Sequence, residues 1–177
     1  VIMATGATPA TPRLPGIGEH RQVLSVFDVL GGKLPEGKHV LVIGAQRAGA
    51  DIAAYLGSRG YDVQFVVRGA DLSYVATNEG LSTRPILIEE LKTCGVDFLF
   101  DTDTVAVSAA GVTLRRDGAE RLEPCDAIVT ATGLRPSVQL RNSLRQGPWN
   151  LYLIGDCVAP RGFEDAIREA FHLAVFI

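Results

Sequence analysis

Two glycines at the ends of a six-residue turn give the clearest indication of chemistry in this sequence. The turn is Gly44, Ala45, Gln46, Arg47, Ala48 and Gly49. It follows an apolar run and precedes a segment with helical spacing, the setting in which G-x-G-x-x-G binds the pyrophosphate of a dinucleotide. Gln46 stands where the middle glycine would admit the phosphates. Two alternatives stay open: a working loop that uses the helix N-terminus as an anion site, or a turn that kept its shape and lost its ligand.

A second candidate contact lies at the end of the next predicted strand, where Arg68 follows two valines. An enzyme that holds the ribose of NAD has an acid at this position, whereas a guanidinium suits the 2′-phosphate of NADP. If a nicotinamide cofactor binds, the sequence therefore favours NADP(H) over NAD(H). The alternative is an exposed arginine at a strand end that has no ligand.

Three further turns close apolar strands and could contact a nucleotide. Gly155 and Asp156 precede a predicted helix, where a carboxylate can reach a ligand hydroxyl, although alone they could form an ordinary N-cap. Ala4-Thr5-Gly6 and Ala131-Thr132-Gly133 repeat one tripeptide at the ends of two other strands. Thr132 and Gly133 are therefore included among the candidate cofactor-binding residues.

The composition excludes several classes of function. The chain has 177 residues, is 47% hydrophobic and has a formal net charge of -3, which gives no cationic surface for nucleic acid. No apolar run is long enough to span a bilayer, so we expect no membrane segment and a cytoplasmic location. The three cysteines lack metal-ligand spacing, and we expect reduced thiols and no metal site. No residue is predicted to act as a general acid or base.

Elements that position these residues follow from the apolar periodicity. A buried strand at 39–43, a helix through 48–56 and a strand at 63–67 make a βαβ unit. Ser25 is the predicted N-cap of a helix at 26–30, and residues 7–18 are predicted to lack regular structure. The remaining predictions are a helix at 85–94, an antiparallel meander of strands at 96–100, 104–107 and 112–116, buried strands at 127–131 and 151–154, and a helix from about Glu164.

These elements predict an α/β fold of the Rossmann-like, three-layer type. A parallel sheet lies at its centre, with helices on one face and the antiparallel β-meander on the other. A methyltransferase-like domain would use a similar glycine turn, but it would also have an acid at the end of the second strand.

The whole pattern resembles the C-terminal part of flavin-dependent pyridine nucleotide oxidoreductases, in which a nucleotide domain is inserted into an FAD domain. Residues 151–161 and 165–170, with 23–30, are similar to the branch of 2,4-dienoyl-CoA reductases and trimethylamine dehydrogenase. The resemblance implies three segments: 1–36 from the FAD-type domain and its crossing, 37–133 as the inserted NAD(P)-binding-like domain, and 134–177 as the return to the FAD-type domain. The chain begins at Val1 inside a predicted strand and stops at Ile177 inside an unfinished helical pattern, so we also expect a fragment of a longer protein.

The resemblance further implies that Asp156 would hold the ribityl chain of FAD in the full-length protein, with the following helix facing the pyrophosphate. FMN and an iron–sulfur cluster are expected only if the missing N-terminal part resembles the family. We expect a module that passes hydride between NAD(P)H and flavin and that is not catalytically competent alone. The alternative is a vestigial scaffold of an amine-dehydrogenase-like flavoenzyme. Expected partners are the missing N-terminal part, a small-molecule substrate and, through exposed apolar surface, a second copy.

Overall fold

The computed structural model describes residues 1–80 and 82–177. The chain divides into two compact units, one made of Val1–Ala10 with Gly133–Ile177 and the other of Thr11–Thr132. We call them the small unit and the large unit. The domain limits at 36 and 133 that the resemblance implies stay predictions.

The elements are numbered here in chain order. The strands are β1 (Ile2–Met3), β2 (Ala7–Pro9), β3 (Val23–Ser25), β4 (His39–Ile43), β5 (Asp62–Val66), β6 (Asp97–Leu99), β7 (Asp103–Ser108), β8 (Gly111–Arg116), β9 (Ala119–Glu123), β10 (Ala127–Thr130), β11 (Leu134–Pro136) and β12 (Tyr152–Leu153). The helices are α1 (Val26–Leu30), α2 (Arg47–Ser58), α3 (Thr83–Thr93), α4 (Gln139–Leu144) and α5 (Phe163–Phe176).

A five-stranded parallel sheet in the order β3-β10-β4-β5-β6 forms the centre of the large unit. Its strands divide their side chains between two buried layers, because successive residues point to opposite faces. Val40 and Val42 belong to a cluster with residues of α2 and α3. Leu41 and Ile43 belong to a second cluster with Val112 of the meander. The predicted three-layer fold is therefore confirmed.

Local capping fixes the helix that precedes this sheet. The Ser25 hydroxyl accepts a hydrogen bond from the backbone N–H of Asp28, and the Asp28 carboxylate accepts one from the backbone N–H of Ser25. This reciprocal capping box satisfies donors that the first helical turn leaves unpaired. The predicted start and end of α1 are confirmed.

The predicted meander is wrong in one strand. Asp97–Leu99 pairs in parallel with β5 and belongs to the central sheet, because α3 provides the crossover between the two strands. Phe98 packs against Phe65 of β5, with ring centroids 6.1 Å apart. The meander consists of β7, β8 and β9, joined at its second turn by Asp117 and Gly118, both with positive φ.

The small unit contains two short strand pairs and two helices. β1 pairs in parallel with β12, and β2 pairs antiparallel with β11. The prediction of irregular structure over residues 7–18 is therefore wrong at Ala7–Pro9, where the chain finds a partner strand far along the sequence. The helix predicted from about Glu164 is confirmed as α5.

Candidate functional site

Close packing requires both glycines of the turn between β4 and α2. Gly44 has a φ of +114°, and a Cβ atom there would lie 2.4 Å from the carbonyl oxygen of Ala131. A Cβ atom on Gly49 would lie 1.8 Å from the carbonyl oxygen of Gly44. The structure therefore brings Gly44 to Gly49 to the carboxyl edge of the central strands. Thr132 lies at the same edge, with its backbone nitrogen 3.2 Å from where a Gly44 Cβ would be.

Gln46 is the N-cap residue of α2, but its side chain does not cap the helix. Its amide nitrogen lies 3.0 Å from the hydroxyl oxygen of Thr77, and its amide oxygen accepts from that hydroxyl at 3.2 Å. The same amide oxygen accepts from the backbone N–H of Asn78 at 3.3 Å. The residue that replaces the middle glycine thus binds another segment of the chain.

That segment, residues 75–79, also contacts the first residue of α2; we call it the strap. The Asn78 side-chain oxygen accepts from the backbone N–H of Arg47 at 3.3 Å. The Glu79 carboxylate pairs with the Arg47 guanidinium at 3.0 Å. A hydrogen bond and the charge of Asp51 raise the pKa of Arg47 further, so this cation stays charged.

The base of the strap is anchored in the core. Val75 and Ala76 are buried, and the backbone N–H of Ala76 donates to the carbonyl oxygen of Ala45 at 2.7 Å. Arg84 of α3 donates to the carbonyl oxygens of Val75 at 2.8 Å and Leu72 at 2.7 Å. Sequence reasoning missed the strap, because no spacing in its polar residues marks Thr77, Asn78 or Glu79 as partners of the turn.

Arg68 follows β5, the strand that pairs with β4 in the central sheet. Its side chain is 84% exposed. Its Nε atom lies 3.4 Å from the carboxylate of Asp103, and a guanidinium nitrogen of Arg115 lies 3.9 Å from that carboxylate. Two cations therefore flank one acid at this corner of the large unit. The meander supplies Asp103 and Arg115, which the sequence analysis did not single out.

The remaining candidates lie in the small unit. The carbonyl oxygen of Gly133 accepts from the backbone N–H of Ala10 at 3.0 Å. Gly155 has a φ of +69°, and its N–H donates to Glu169 at 2.7 Å. Asp156 accepts from the backbone N–H of Arg161 at 3.1 Å. Its carboxylate is partly exposed beside the start of α5.

Charges at the start of α5 shape this second site. Its first turn contains Glu164 and Asp165, acids that a helix N-terminus stabilises. Glu169 binds both the side chain of Arg161 and the backbone of Gly155, and these hydrogen bonds lower the pKa of Glu169. Two of these three carboxylates are each paired with an arginine of the same unit.

Other chemistry is not indicated in the part of the chain that the structure describes. No group of three or more His, Cys, Asp or Glu residues there could hold a metal ion. Across residues 1–80 and 82–177, no helix combines the length and the apolar character needed to cross a membrane. Cys94, Cys125 and Cys157 are free thiols.

Comparison of the chain with known proteins identifies a family and several relatives. The family model described as "Pyridine nucleotide-disulphide oxidoreductase" matches residues 1–172. A metal reductase of Desulforamulus reducens is 27% identical over 201 residues, which cover 99% of this chain and 30% of that protein. The chain therefore spans about a third of this curated relative.

Two solved structures share the fold. A 2-naphthoyl-CoA reductase in complex with 2-naphthoyl-CoA superposes with a TM-score of 0.86 at 23% identity, covering 99% of this chain and 26% of that one. Histamine dehydrogenase from Rhizobium sp. 4-9 has a TM-score of 0.86 at 24% identity, covering 98% of this chain and 30% of that one.

Proposed function

Because the chain belongs to the pyridine nucleotide-disulphide oxidoreductase family, we propose that it is the nucleotide-binding module of a flavin-dependent oxidoreductase that passes hydride between NAD(P)H and flavin. One observation carries the proposal. Gly44 and Gly49 are held by backbone contacts in a strand–turn–helix unit at the carboxyl edge of a parallel sheet, where α/β folds bind nucleotides.

The residues of this turn fit a dinucleotide in shape. The start of α2 offers backbone N–H groups to a pyrophosphate, and Gly49 lets the helix pack closely on β4. When bound, the nicotinamide ring supplies or accepts the hydride, while the protein binds and orients it. The work of this chain is therefore positioning, and none of its side chains is proposed as a general acid or base.

Arg68 supports a preference for NADP(H) over NAD(H). Its exposed guanidinium at the end of β5 can pair with a 2′-phosphate, and Arg115 lies on the other side of the shared Asp103. A dianionic phosphate would displace Asp103 from at least one of these cations. Both guanidinium groups would then contribute to recognition.

FAD is the proposed second cofactor, held partly by Asp156 and Gly155 in the small unit. The other half of its site, and any FMN or iron–sulfur cluster, would belong to the part of the enzyme that relatives have and this chain does not span. The two solved neighbours are a reductase of 2-naphthoyl-CoA and a dehydrogenase of histamine. A small-molecule substrate of either class would be bound outside this chain.

A vestigial scaffold of an amine-dehydrogenase-like flavoenzyme is the second candidate function. The observation that favours it is the side chain of Gln46, which fills the position of the middle glycine and binds Thr77 and Asn78. In this case the turn between β4 and α2 would have kept its glycines for packing alone.

Nucleotide titration separates the two functions. We expect NADPH to raise the melting temperature of the chain more than NADH does. At 100 times the dissociation constant, a ligand adds about 2.7 kcal/mol to the free energy of unfolding. Arg68→Glu should remove the preference for NADPH, whereas Arg13→Glu, the same charge change at another exposed arginine, should keep it. If the wild-type chain, Arg68→Glu and Arg13→Glu all bind NADPH equally well, the assignment of Arg68 to the 2′-phosphate is contradicted.

Partners and location complete the proposal. We propose that the N-terminal part of the same polypeptide covers the exposed apolar residues of α5, and that isolated copies of this chain pair through them. A cytoplasmic location is proposed on the basis of the free thiols of Cys94, Cys125 and Cys157. No role in binding nucleic acid or membrane is proposed.

A further inference from the structure

We propose that the strap, residues 75–79, occupies the start of α2 in place of the cofactor's pyrophosphate, so that a dinucleotide binds only when the strap opens. The inference rests on the proposed function, because it concerns access to the same turn. It assigns to this turn a built-in competitor that controls its affinity for the nucleotide.

The contacts of the strap resemble those that a phosphate group would make. The side-chain oxygen of Asn78 accepts from the backbone N–H of Arg47 in the first turn of α2. The carboxylate of Glu79 adds negative charge beside it through its ion pair with Arg47. A helix N-terminus favours oxygen acceptors and anions, and here the protein supplies both from its own chain. A pyrophosphate that bound the Arg47 N–H would have to displace Asn78.

Gln46 forms the other half of the closure. Its amide binds the hydroxyl of Thr77 and the backbone N–H of Asn78. A glycine at this position would admit phosphates and would lack these two side-chain hydrogen bonds to the strap, so Gln46 both fills the phosphate position and adds contacts that hold the segment there. Under this proposal, Gln46 in place of the middle glycine controls access to the turn, and the turn can still bind a nucleotide.

The burial of the strap indicates which part moves. Val75 and Ala76 are fully buried, and Arg84 holds the carbonyl oxygen of Val75. Thr77 and Asn78 are exposed, so water competes for each of their hydrogen bonds. We therefore assign residues 77–79 as the moving part and the buried pair as its fixed base.

The test is the affinity of the chain for NADPH, measured by calorimetry in strap variants. Asn78→Ala removes the hydrogen bond to the Arg47 N–H, and Glu79→Gln removes the negative charge that pairs with the Arg47 guanidinium. A strap that is closed in about nine molecules of ten would weaken apparent affinity about tenfold. We expect the double variant, Asn78→Ala with Glu79→Gln, to recover most of this tenfold loss of affinity for NADPH. Asn142→Ala and Glu89→Gln, matched changes at exposed residues of α4 and α3, should leave the dissociation constant unchanged.

Hydrogen exchange gives a second readout that needs no ligand. In the free protein the amide of Arg47 should be protected, and Asn78→Ala should expose it while the rest of α2 keeps its protection. NADPH should speed exchange at residues 77–79 of the wild-type chain. Slower exchange there on binding would overturn the strap, because it would mean that the segment closes over the ligand.

The outcomes separate the two proposals. If the wild-type chain binds NADPH and the strap variants bind it equally well or more weakly, the strap proposal is overturned and the proposed function stands. Weak or absent binding by wild type that strengthens in the variants supports both. No binding by any variant overturns both.

Discussion

Steric contact with the backbone explains why residue 49 is a glycine. A Cβ atom there would lie 1.8 Å from the carbonyl oxygen of Gly44 and 3.2 Å from the Cβ of Ala131. Alanine is favoured over glycine inside a helix by about 1 kcal/mol. The collision is with backbone, which cannot rotate away, and overpacking costs about 1–3 kcal/mol or more. The collision therefore outweighs the gain in helix propensity.

We accordingly expect Gly49→Ala to lower the free energy of unfolding by roughly 2 kcal/mol. Denaturation in urea measures the effect. Gly18→Ala is the matched control, because a Cβ atom at Gly18 meets nothing within 4 Å and the residue has no positive φ. A Gly49→Ala variant as stable as wild type would mean that α2 can move away from Gly44.

Cys125 illustrates how burial sets reactivity. Burial, reinforced by the negative charges of Asp126 and Glu123, raises the pKa of its thiol to about 11. The thiolate is the reactive form, so the side chain should be nearly inert at neutral pH. In a variant with Cys94→Ser and Cys157→Ser, we expect alkylation by iodoacetamide to be slow at pH 7 and to accelerate up to about pH 11. Rapid alkylation at pH 7 would contradict this.

The sequence predicted part of the candidate site, and the limit has a physical cause. Gly44, Gly49 and Arg68 lie within one βαβ unit, so local spacing and strand order suffice to bring them to one edge. The partners of Gln46 are about 30 positions away in a loop without periodicity, and a polar loop residue can face many directions. The contacts of the strap, and the ion pair of Asp103 with Arg115, are therefore visible only in the three-dimensional structure.

At the scale of elements, apolar patterning predicted the buried strands better than the edge strands. β4 is buried and apolar after its exposed first residue, His39, and β10 is buried throughout and apolar up to Thr130, as parallel strands covered on both faces should be. β9 was missed because nearly all of Ala119–Glu123 is exposed, although Asp-Gly before it is typical of a hairpin turn. β3 was missed because a strand of three residues that ends at the N-cap residue of a helix is too short to show a period.

Asp126 joins two elements through backbone hydrogen bonds. Its carboxylate accepts from the N–H groups of Lys38 and His39 at 2.9 and 3.0 Å, just where β4 begins. These bonds lower the pKa of Asp126. A lowered pKa means that the carboxylate stabilises the fold above its ordinary pKa, and that this contribution is lost as the pH falls through the lowered value.

We expect Asp126→Asn to melt at a lower temperature than wild type at pH 7, with the difference shrinking below about pH 4. Thermal melts from pH 7 to pH 3 measure this. Asp97→Asn, at an exposed acid that begins β6, should match wild type across the range. A difference between Asp126→Asn and wild type that is constant with pH would show that the charge of Asp126 is not the stabilising feature.

At the scale of the molecule, α5 carries an unusual exposed stripe. Its members lie four residues apart and are large and apolar: Phe163, Ile167, Phe171 and Val175, with exposures between 64% and 83%. Residues at this spacing share one face of a helix. Soluble proteins rarely expose a contiguous apolar face of this kind without a partner. The larger relatives of this chain have additional polypeptide that could cover it.

Without that cover, the stripe should drive self-association of the chain. We expect sedimentation velocity to show a concentration-dependent dimer for the wild-type chain. The double variant Ile167→Glu and Phe171→Glu should weaken dimerisation by at least about tenfold, because two buried apolar contacts become desolvated charges. Ile86→Glu changes an equally exposed residue, 70% accessible, on α3 of the large unit and should leave dimerisation unchanged. Equal weakening by Ile86→Glu would place the interface on the large unit, and a wild-type chain that stays monomeric at every concentration would contradict self-association through the stripe.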